Sequence, residues 1–529
     1  MTFIHSQFIN KALKKSFSST ERFLKFKKQF YSQNKLPQPT NADLRELYEK
    51  MITQKKIKRK PSLEKAMLSR SVRTQSGVAV VAVLTKPYAC PGKCAFCPTE
   101  ENMPKSYLSN EPAVMRAIMN KFNPYKQIQS RLQALMLNGH PIDKIELIVM
   151  GGTFSYFPRQ YQTWFIKECF RACNEYRQNH ATTSTAQRTT LLQAQKRNEK
   201  AKVKIVGLTL ETRPDWINEK EIINFRRLGC TRVELGVQSI YDEILKKNRR
   251  GHLAQATIQA TKLLKEAGFK INYHMMPGLY GSSPTKDFQM FKELFTNPNY
   301  QPDMLKIYPT VVIKNTPLYH WWKQGKYKPL DNKTFEKLVI RIKNEAILPY
   351  TRIQRLVRDV PLPSIEAGPT ISNLRQVVAP KTHCQCIRCR EIKGEYQATS
   401  KIFLHRIDYP ASDGQEIFLQ FTNKQNRLYA LLRLRINNNN TNLTIHTLKN
   451  ASLIREVHTY GKLASIGKKE KNSPQHIGLG KKLLKEAERI TKEEFGLNKI
   501  AVISGIGVRD YYRQNGYRLQ NTYMVKKLN

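Results

Sequence analysis

Acidic residues are scarce in this sequence: 41 Asp+Glu stand against 90 Lys+Arg, a formal charge of +49 over 529 residues. An AT-rich genome would swap Arg and Gln for Lys and Asn, but it would not deplete acids. Nucleic acid is therefore the expected partner, because each neutralised phosphate releases counterions. An anionic membrane is the weaker alternative, since no strongly amphipathic anchor stands out. Long apolar runs are missing as well, which excludes a membrane span, and the N-terminus has no apolar core of a secretory signal. The first acid is Glu21, and the Ser-rich basic stretch around it has the look of an organelle transit peptide. The same basic character continues through Lys55–Lys60, so a nucleic-acid arm accounts for the whole stretch, and a cytoplasmic location is expected. Nine cysteines, an odd number, do not make a disulfide framework. Six of them fall in two tight clusters, Cys90/Cys94/Cys97 and Cys384/Cys386/Cys389, which points to metal sites; Cys169, Cys173 and Cys230 are scattered.

Hydrophobic residues make up 40% of the chain, a globular value, and the length allows two or three domains with full cores. Residues 1–76 read as short polar and amphipathic helices, with Leu44, Leu47 and Met51 at helical spacing. From Gly77 onward, strand-like runs alternate with amphipathic helices: Val78–Leu84, Ile145–Met150, Val203–Leu210, Arg232–Val237, Lys270–Met275 and Met304–Tyr308. This alternation predicts parallel βα units, and polar motifs just after the strand ends fit the C-terminal face of a barrel. Residues 180–202 are polar and aperiodic and read as a surface insertion. After residue 400 the pattern turns antiparallel, with a polar loop at 437–442, a glycine turn, a helix over 478–494 and strands at Lys499–Ser504 and near Met524. The expected fold is α/β: a partial (βα) barrel over 77–380, a metal-binding linker over 381–399 and an α+β domain over 400–529, behind a basic helical region.

The strongest chemical signal is Cys90-Pro91-Gly92-Lys93-Cys94-Ala95-Phe96-Cys97 directly after a barrel strand. Three thiolates at this spacing hold three irons of a [4Fe–4S] cluster and leave the fourth open to chelate S-adenosylmethionine (SAM). A structural zinc loop is the competing reading, but no fourth ligand follows nearby. Gly151 and Gly152 end the second strand, where backbone can approach the methionine end of SAM; a plain turn is the default for such a pair. Glu211, Arg213 and Gln238 also end strands, as SAM contacts or as buried ion pairs of the barrel rim. In the second cluster, CxCxxC spacing suits zinc, with His383 a possible fourth ligand, although adjacent residues rarely reach one ion together. Near the C-terminus, Gln475-His476-Ile477-Gly478-Leu479-Gly480 opens a helix, where free N–H groups would face a pyrophosphate. With a strand before it and Tyr511-Tyr512 after it, the order is that of GNAT acyltransferases; Tyr512 would face a thioester or belong to an aromatic core pair.

Together these motifs resemble the catalytic subunit of Elongator and its free-standing bacterial and archaeal relatives. The resemblance rests on the cysteine loop, Glu111-Pro112-Ala113-Val114-Met115-Arg116-Ala117, Met150-Gly151-Gly152-Thr153-Phe154, Leu210-Glu211-Thr212-Arg213-Pro214-Asp215, Ile454-Arg455-Glu456-Val457-His458 and Tyr511-Tyr512-Arg513. It runs from about Asn41 to the end. It implies a tRNA carboxymethyluridine synthase: a SAM-derived radical activates acetyl-CoA, whose carbon joins C5 of the wobble uridine. It also implies acetyl-CoA contacts at Lys144, Glu456, Val457, His458, Thr459, Leu479, Gly480, Lys481 and Tyr512, which join Gly478 of the glycine turn in the expected acetyl-CoA site; Lys144, Tyr511 and Tyr512 are the expected catalytic residues. An electron donor is required. The short cysteine spacing favours a free-standing enzyme over a subunit of a large complex, and a homo-oligomer is left open. A protein lysine acetyltransferase that uses the radical half as a scaffold is the rival reading; the positive charge favours tRNA.

Overall fold

A computed structural model describes residues 2–68, 77–176, 189–392, 401–438, 443–461 and 478–529. Seven parallel strands form one open sheet in chain order: β1 (Ala79–Leu84), β2 (Lys144–Met150), β3 (Lys204–Thr212), β4 (Arg232–Gln238), β5 (Lys270–Met275), β6 (Met304–Ile307) and β7 (Arg352–Arg355). β1 and β7 do not pair, so this is the partial barrel the alternation predicts. Parallel strands buried on both sides need apolar, β-branched residues, and Val81, Val83, Ile145, Leu147, Ile205 and Val233 are all essentially inaccessible. β7 escaped the sequence reading because Arg352-Ile353-Gln354-Arg355 is short and charged. Amphipathic helices such as Pro124–Leu137 and Arg159–Glu175 cover the outer face.

The N-terminal helices Thr2–Leu13, Thr20–Gln33, Asn41–Thr53 and Pro61–Ala66 close around a core of their own, built on Phe8, Phe23, Phe30, Tyr31, Leu44 and Tyr48. The basic run does not all face water. Arg59 pairs with Glu49 (2.7 Å) and Glu64 (2.9 Å), and Lys60 donates to the carbonyls of Leu13 (2.6 Å) and Lys15 (2.9 Å). The expected insertion at 180–202 is corrected in its second part. Leu191–Asn198 is a helix with a Thr190/Gln193 capping box, and Asn198 is buried, bridging Asn174, Val203 and Ile205. Residues 180–188, like 393–399 of the linker, 439–442 of the Asn-rich loop and Gln475–Ile477, lie outside the described residues.

The second sheet also has seven strands, in the order β13-β14-β12-β11-β10-β9-β8. These are β8 (Ile402–Ala411), β9 (Gly414–Asn423), β10 (Leu428–Asn437), β11 (Ser452–Thr459), β12 (Lys499–Val502), β13 (Arg518–Gln520) and β14 (Tyr523–Lys527). All pairs are antiparallel except β11–β12. This domain sits against the N-terminal edge of the barrel strands. Gly505 lies so close to β3 that a Cβ there would be 2.1 Å from the carbonyl oxygen of Val206, so only glycine fits. Tyr523 donates to the carbonyl of Ala267 (2.9 Å), and Arg509 and Arg513 reach Glu199 at 3.1 and 2.6 Å. Inside the joint, Arg455 grips Asp303 (2.5 Å) and Glu416 (2.8 Å), with Lys265, Arg433 and Arg435 around them, all essentially inaccessible. Burial alone would raise the Asp303 carboxyl, but Arg455, Lys265 and Arg433 outweigh it and hold it ionised. Burial lowers the Lys265 ammonium to about 8. Such a network is costly to break, because a lone buried charge has no solvent to return to.

Candidate active site

At the C-terminal end of β1 the chain leaves the sheet as the cysteine loop. The Thr85 N–H donates to Met150 (3.0 Å), Ala95 to the carbonyl of Asn248 (3.0 Å), and Leu318 back to Ala95 (3.0 Å). The loop is thus clamped from both sides. Cys94 is buried, while Cys90 and Cys97 are half-buried. Two guanidiniums approach the Cys94 sulfur, Arg250 Nη1 at 3.2 Å and Arg213 Nη1 at 3.9 Å. Burial and the neighbouring Cys94 push the Cys97 thiol up to about 11, so this sulfur ionises only with a compensating positive partner. Arg213 is held in place by Asp215 (2.9 Å, twofold) and by the carbonyl of Arg250 (2.9 Å). It crosses Gly92, where a Cβ would lie 2.2 Å from Nη1.

Around this loop stand the strand ends named from the sequence. Gly151 and Gly152 adopt φ +133° and +92°, and a Cβ at Gly151 would sit 1.9 Å from Thr85 Oγ1. Gln238 holds φ +71°, a strained choice for a non-glycine residue and one often kept at ligand sites. Glu211 accepts from Tyr107 Oη (2.7 Å) and lies 3.7 Å from His274. The buried atoms Thr85 Oγ1, Gln238 Oε1, Asn248 Oδ1 and Thr310 Oγ1 have no partner here, which fits a rim built for a polar ligand. Below the rim the barrel interior is polar: Glu234 bonds His274 (2.9 Å), Lys306 and Asn272, while Arg232 pairs with Glu146. The sequence reading missed these residues. The signal was there, since Arg232-Val233-Glu234-Leu235 and Lys270-Ile271-Asn272-Tyr273-His274 alternate polar and apolar where a doubly buried strand should not.

At the other end of the barrel lies the second group. β11 pairs with β12 only from Ser452 to Ile454, and among the described residues no strand pairs with its β12 side from Arg455 to Thr459. Glu456 spans the joint, bonded to Lys270 and Arg433 at 2.9 Å each. Burial opposes its charge, yet Lys270 and Arg433 keep it well below the usual carboxylate range. Burial also lowers the His458 imidazole to about 4, and its Nε2 has no partner. Val457 lies between them, half-buried. The helix Leu479–Arg489 starts at Gly478 (φ +74°), a glycine with no side chain to cap its first N–H groups. Leu479 is buried and Lys481 exposed. A Cβ at Gly480 would fall 2.9 Å from Tyr511 Oη and 3.5 Å from Thr459 Oγ1, so these three are neighbours. Tyr512 is buried against Tyr511 and Tyr517 (ring centroids 5.3 and 5.9 Å). Lys144 begins β2 opposite Lys204, whose Cβ faces Gly507, and so stands at the joint, at the far end of its strand from Gly151.

The thiols of Cys384, Cys386 and Cys389 lie within 4.8 Å of one another, and no other such group occurs among the described residues. His383 is exposed and stands outside this trio. Extended backbone turns consecutive side chains apart, so the structure does not bring it to the site. Cys90, Cys94 and Cys97 are spread wider than a single ion allows, as a cluster with its irons at separate corners requires.

The radical SAM superfamily matches residues 85–290, and a radical SAM C-terminal domain matches 302–382. The tRNA uridine(34) acetyltransferase of Methanocaldococcus infernus is 47% identical over 87% of both chains. That of Dehalococcoides mccartyi is 45% identical over 86% of this chain and 99% of its own. The human Elongator complex protein 3 is 38% identical over 87% of this chain and 86% of its own. The chain belongs to the Elongator protein 3 family. The structure of an N-terminally truncated archaeal Elp3 from Methanocaldococcus infernus superposes with a TM-score of 0.73 at 43% identity, covering 86% of this chain and all of that one.

For an Elongator protein 3 relative the radical SAM domain implies SAM and a [4Fe–4S] cluster, and the three loop cysteines and the guanidiniums beside Cys94 suit one. Arg250, Asn248 and Leu318 are the residues of this site that the sequence did not disclose: each acts on the loop across more than a hundred residues of chain. Among the described residues no helix is long and apolar enough to cross a membrane.

Proposed function

We propose that this enzyme modifies the wobble uridine, position 34, of tRNA by joining the methyl carbon of acetyl-CoA to C5 of the base in place of its hydrogen, thioester hydrolysis then leaving a carboxymethyl group. The observation that carries the reading is the pairing of two sites through one charged joint. A cysteine loop lies at the top of the barrel, and the glycine turn that starts the helix Leu479–Arg489 lies in the domain below it. Relatives named tRNA uridine(34) acetyltransferase support it.

When bound, the cluster and SAM supply the radical that starts the reaction. Cys90, Cys94 and Cys97 hold the cluster, with Arg250 and Arg213 steadying the Cys94 sulfur. The Gly151–Gly152 backbone, Glu211 and Gln238 take the polar end of SAM. In the C-terminal domain, Gly478–Lys481 offer N–H groups to the pyrophosphate of CoA, and the open edge of β11 from Glu456 to Thr459 pairs with its extended arm. Tyr511, beside Gly480, lies near the thioester; Tyr512 supports it from the core. Lys144 meets the donor at the joint. Cys384, Cys386 and Cys389 hold a structural zinc, with tRNA bound through the basic surface.

The test gives purified, cluster-loaded protein isotope-labelled acetyl-CoA, SAM, a reductant and tRNA. Label in a uridine is the expected result. Label on protein lysines with unmodified tRNA overturns the proposal in favour of a lysine acetyltransferase.

A further inference from the structure

The loop after β6 folds into a short helix, Pro317–Lys323, against the cysteine loop. Its sequence is Pro317-Leu318-Tyr319-His320-Trp321-Trp322-Lys323, so it carries two of the chain's four tryptophans. Leu318 is fully buried, and its N–H donates to Ala95, one residue beyond Cys94. Leu318, Val312 and Tyr327 form a small core, and Phe96, Tyr280, Tyr319, Trp321 and Trp322 pack at its rim, each half-buried. The rings hold one another: Tyr280 and Trp321 have centroids 5.0 Å apart, Tyr319 and Trp322 5.8 Å. One side of the cluster is therefore fixed and the other open to solvent.

Cations surround it. Arg249 lies 5.3 Å from the Trp321 ring centre, and Lys323 lies 4.8 Å from Trp322 and 5.7 Å from Tyr319. Lys314, Lys326 and Lys328 are exposed, and no acid occurs from Met304 to Leu330. A helix that only covered the cysteine loop would need Leu318, not two half-exposed indoles among lysines. Pre-ordered aromatic faces with phosphate-binding cations are what single-stranded nucleic acid requires. An enzyme acting on one base must also draw it from its stack, and the neighbouring bases then need a new surface to lie on.

We propose that the Pro317–Lys323 helix is a stacking platform for unpaired bases of the RNA substrate, with Arg249, Lys323, Lys326 and Lys328 taking the adjacent phosphates. This rests on the tRNA reading above. It places the bases flanking the target beside the loop that carries Cys94 and Cys97.

The experiment measures, by fluorescence anisotropy on full-length cluster-loaded protein, affinity for a hairpin RNA with an anticodon-type loop and for a fully paired RNA of equal length. Trp322→Ala is expected to weaken hairpin binding about tenfold and leave duplex binding unchanged, because a stacked base contributes on that scale. Trp322→Phe should restore most of the loss. Lys326→Gln with Lys328→Gln, both on exposed positions that will not disturb the core, should lower the salt slope for the hairpin by roughly two phosphate contacts. Hairpin affinity unchanged by Trp322→Ala, or equal losses on both RNAs, overturns the platform. Should Trp322→Ala not fold, an unchanged salt slope in the double lysine variant overturns it instead. If the wild-type protein binds neither RNA, the tRNA reading itself fails; if it binds the hairpin and the variants bind equally well, only the platform does.

Discussion

Replacing Asp303 by Asn should loosen the joint between the two halves. The Asp303 carboxylate is inaccessible to solvent and accepts from Arg455 Nη1 at 3.0 Å, Arg455 Nη2 at 2.5 Å and the Ile271 N–H at 2.9 Å. Arg433 and Lys265 stand 3.5 and 3.9 Å away. The ion pairs that meet here join three acids (Asp303, Glu416, Glu456) to five cations (Lys265, Lys270, Arg433, Arg435, Arg455), so Asp303→Asn would leave two acids for the same five. Removing one partner of a buried pair costs about 3–5 kcal/mol. Two features favour the lower end. The amide retains an acceptor for one guanidinium N–H, and Lys265, already held to about 8 by burial, sheds its proton more easily than an ordinary lysine. About 3 kcal/mol at roughly 2–4 °C per kcal/mol lowers the apparent Tm by about 10 °C. Circular-dichroism melts of cluster-loaded protein check this, with iron content as the control for the barrel's top face. A Tm within about 2 °C of the wild type would refute the reasoning, since it would mean the charges are solvated or compensated elsewhere.

Changing Cys90, Cys94 and Cys97 together to Ala should reduce bound iron and sulfide to background; stoichiometric iron retained in that variant would remove the cluster assignment. Gly480→Val places a side chain where a Cβ is already 2.9 Å from Tyr511 Oη, so acetyl-CoA affinity, read by calorimetry, should fall at least about tenfold while tRNA affinity holds. Unchanged acetyl-CoA binding would separate this turn from the donor site. His458 gives a pH dependence of definite sign. Burial lowers its folded-state value to about 4 against 6.5 in the unfolded chain, so the unfolded state binds the proton more readily. Stability from this group is complete above about pH 6.5 and declines as pH falls toward 4. Denaturation midpoints across that range should fall less steeply in His458→Gln; identical slopes in the two proteins would count against a half-buried imidazole kept neutral by the fold.

Local pattern alone determined much of this protein. Apolar runs rich in β-branched residues, such as Val78–Leu84 and Leu147–Met150, demand buried strands, and amphipathic spacers between them favour parallel pairing, so six of the seven barrel strands could be read from the pattern. Cys90, Cys94 and Cys97 were legible because their ligand spacing is local, and Gly478–Gly480 because a helix start is local. The strand Arg352–Arg355 was not, since only Ile353 in it is buried and pairing with β6, a tertiary contact, decides its conformation. Tertiary structure alone decided the partners that arrive from afar: Arg250 on Cys94, Leu318 on Ala95, Glu199 on Arg509, and Asp303 on Arg455. It also decided that His383 stays outside the thiol trio and that the C-terminal domain docks at the end of the barrel opposite the cysteine loop. The physical reason is common to all of these. A side chain's chemistry and a segment's periodicity are properties of neighbouring residues, whereas which charges share a dry interior depends on how whole elements pack, and no short window of sequence carries that.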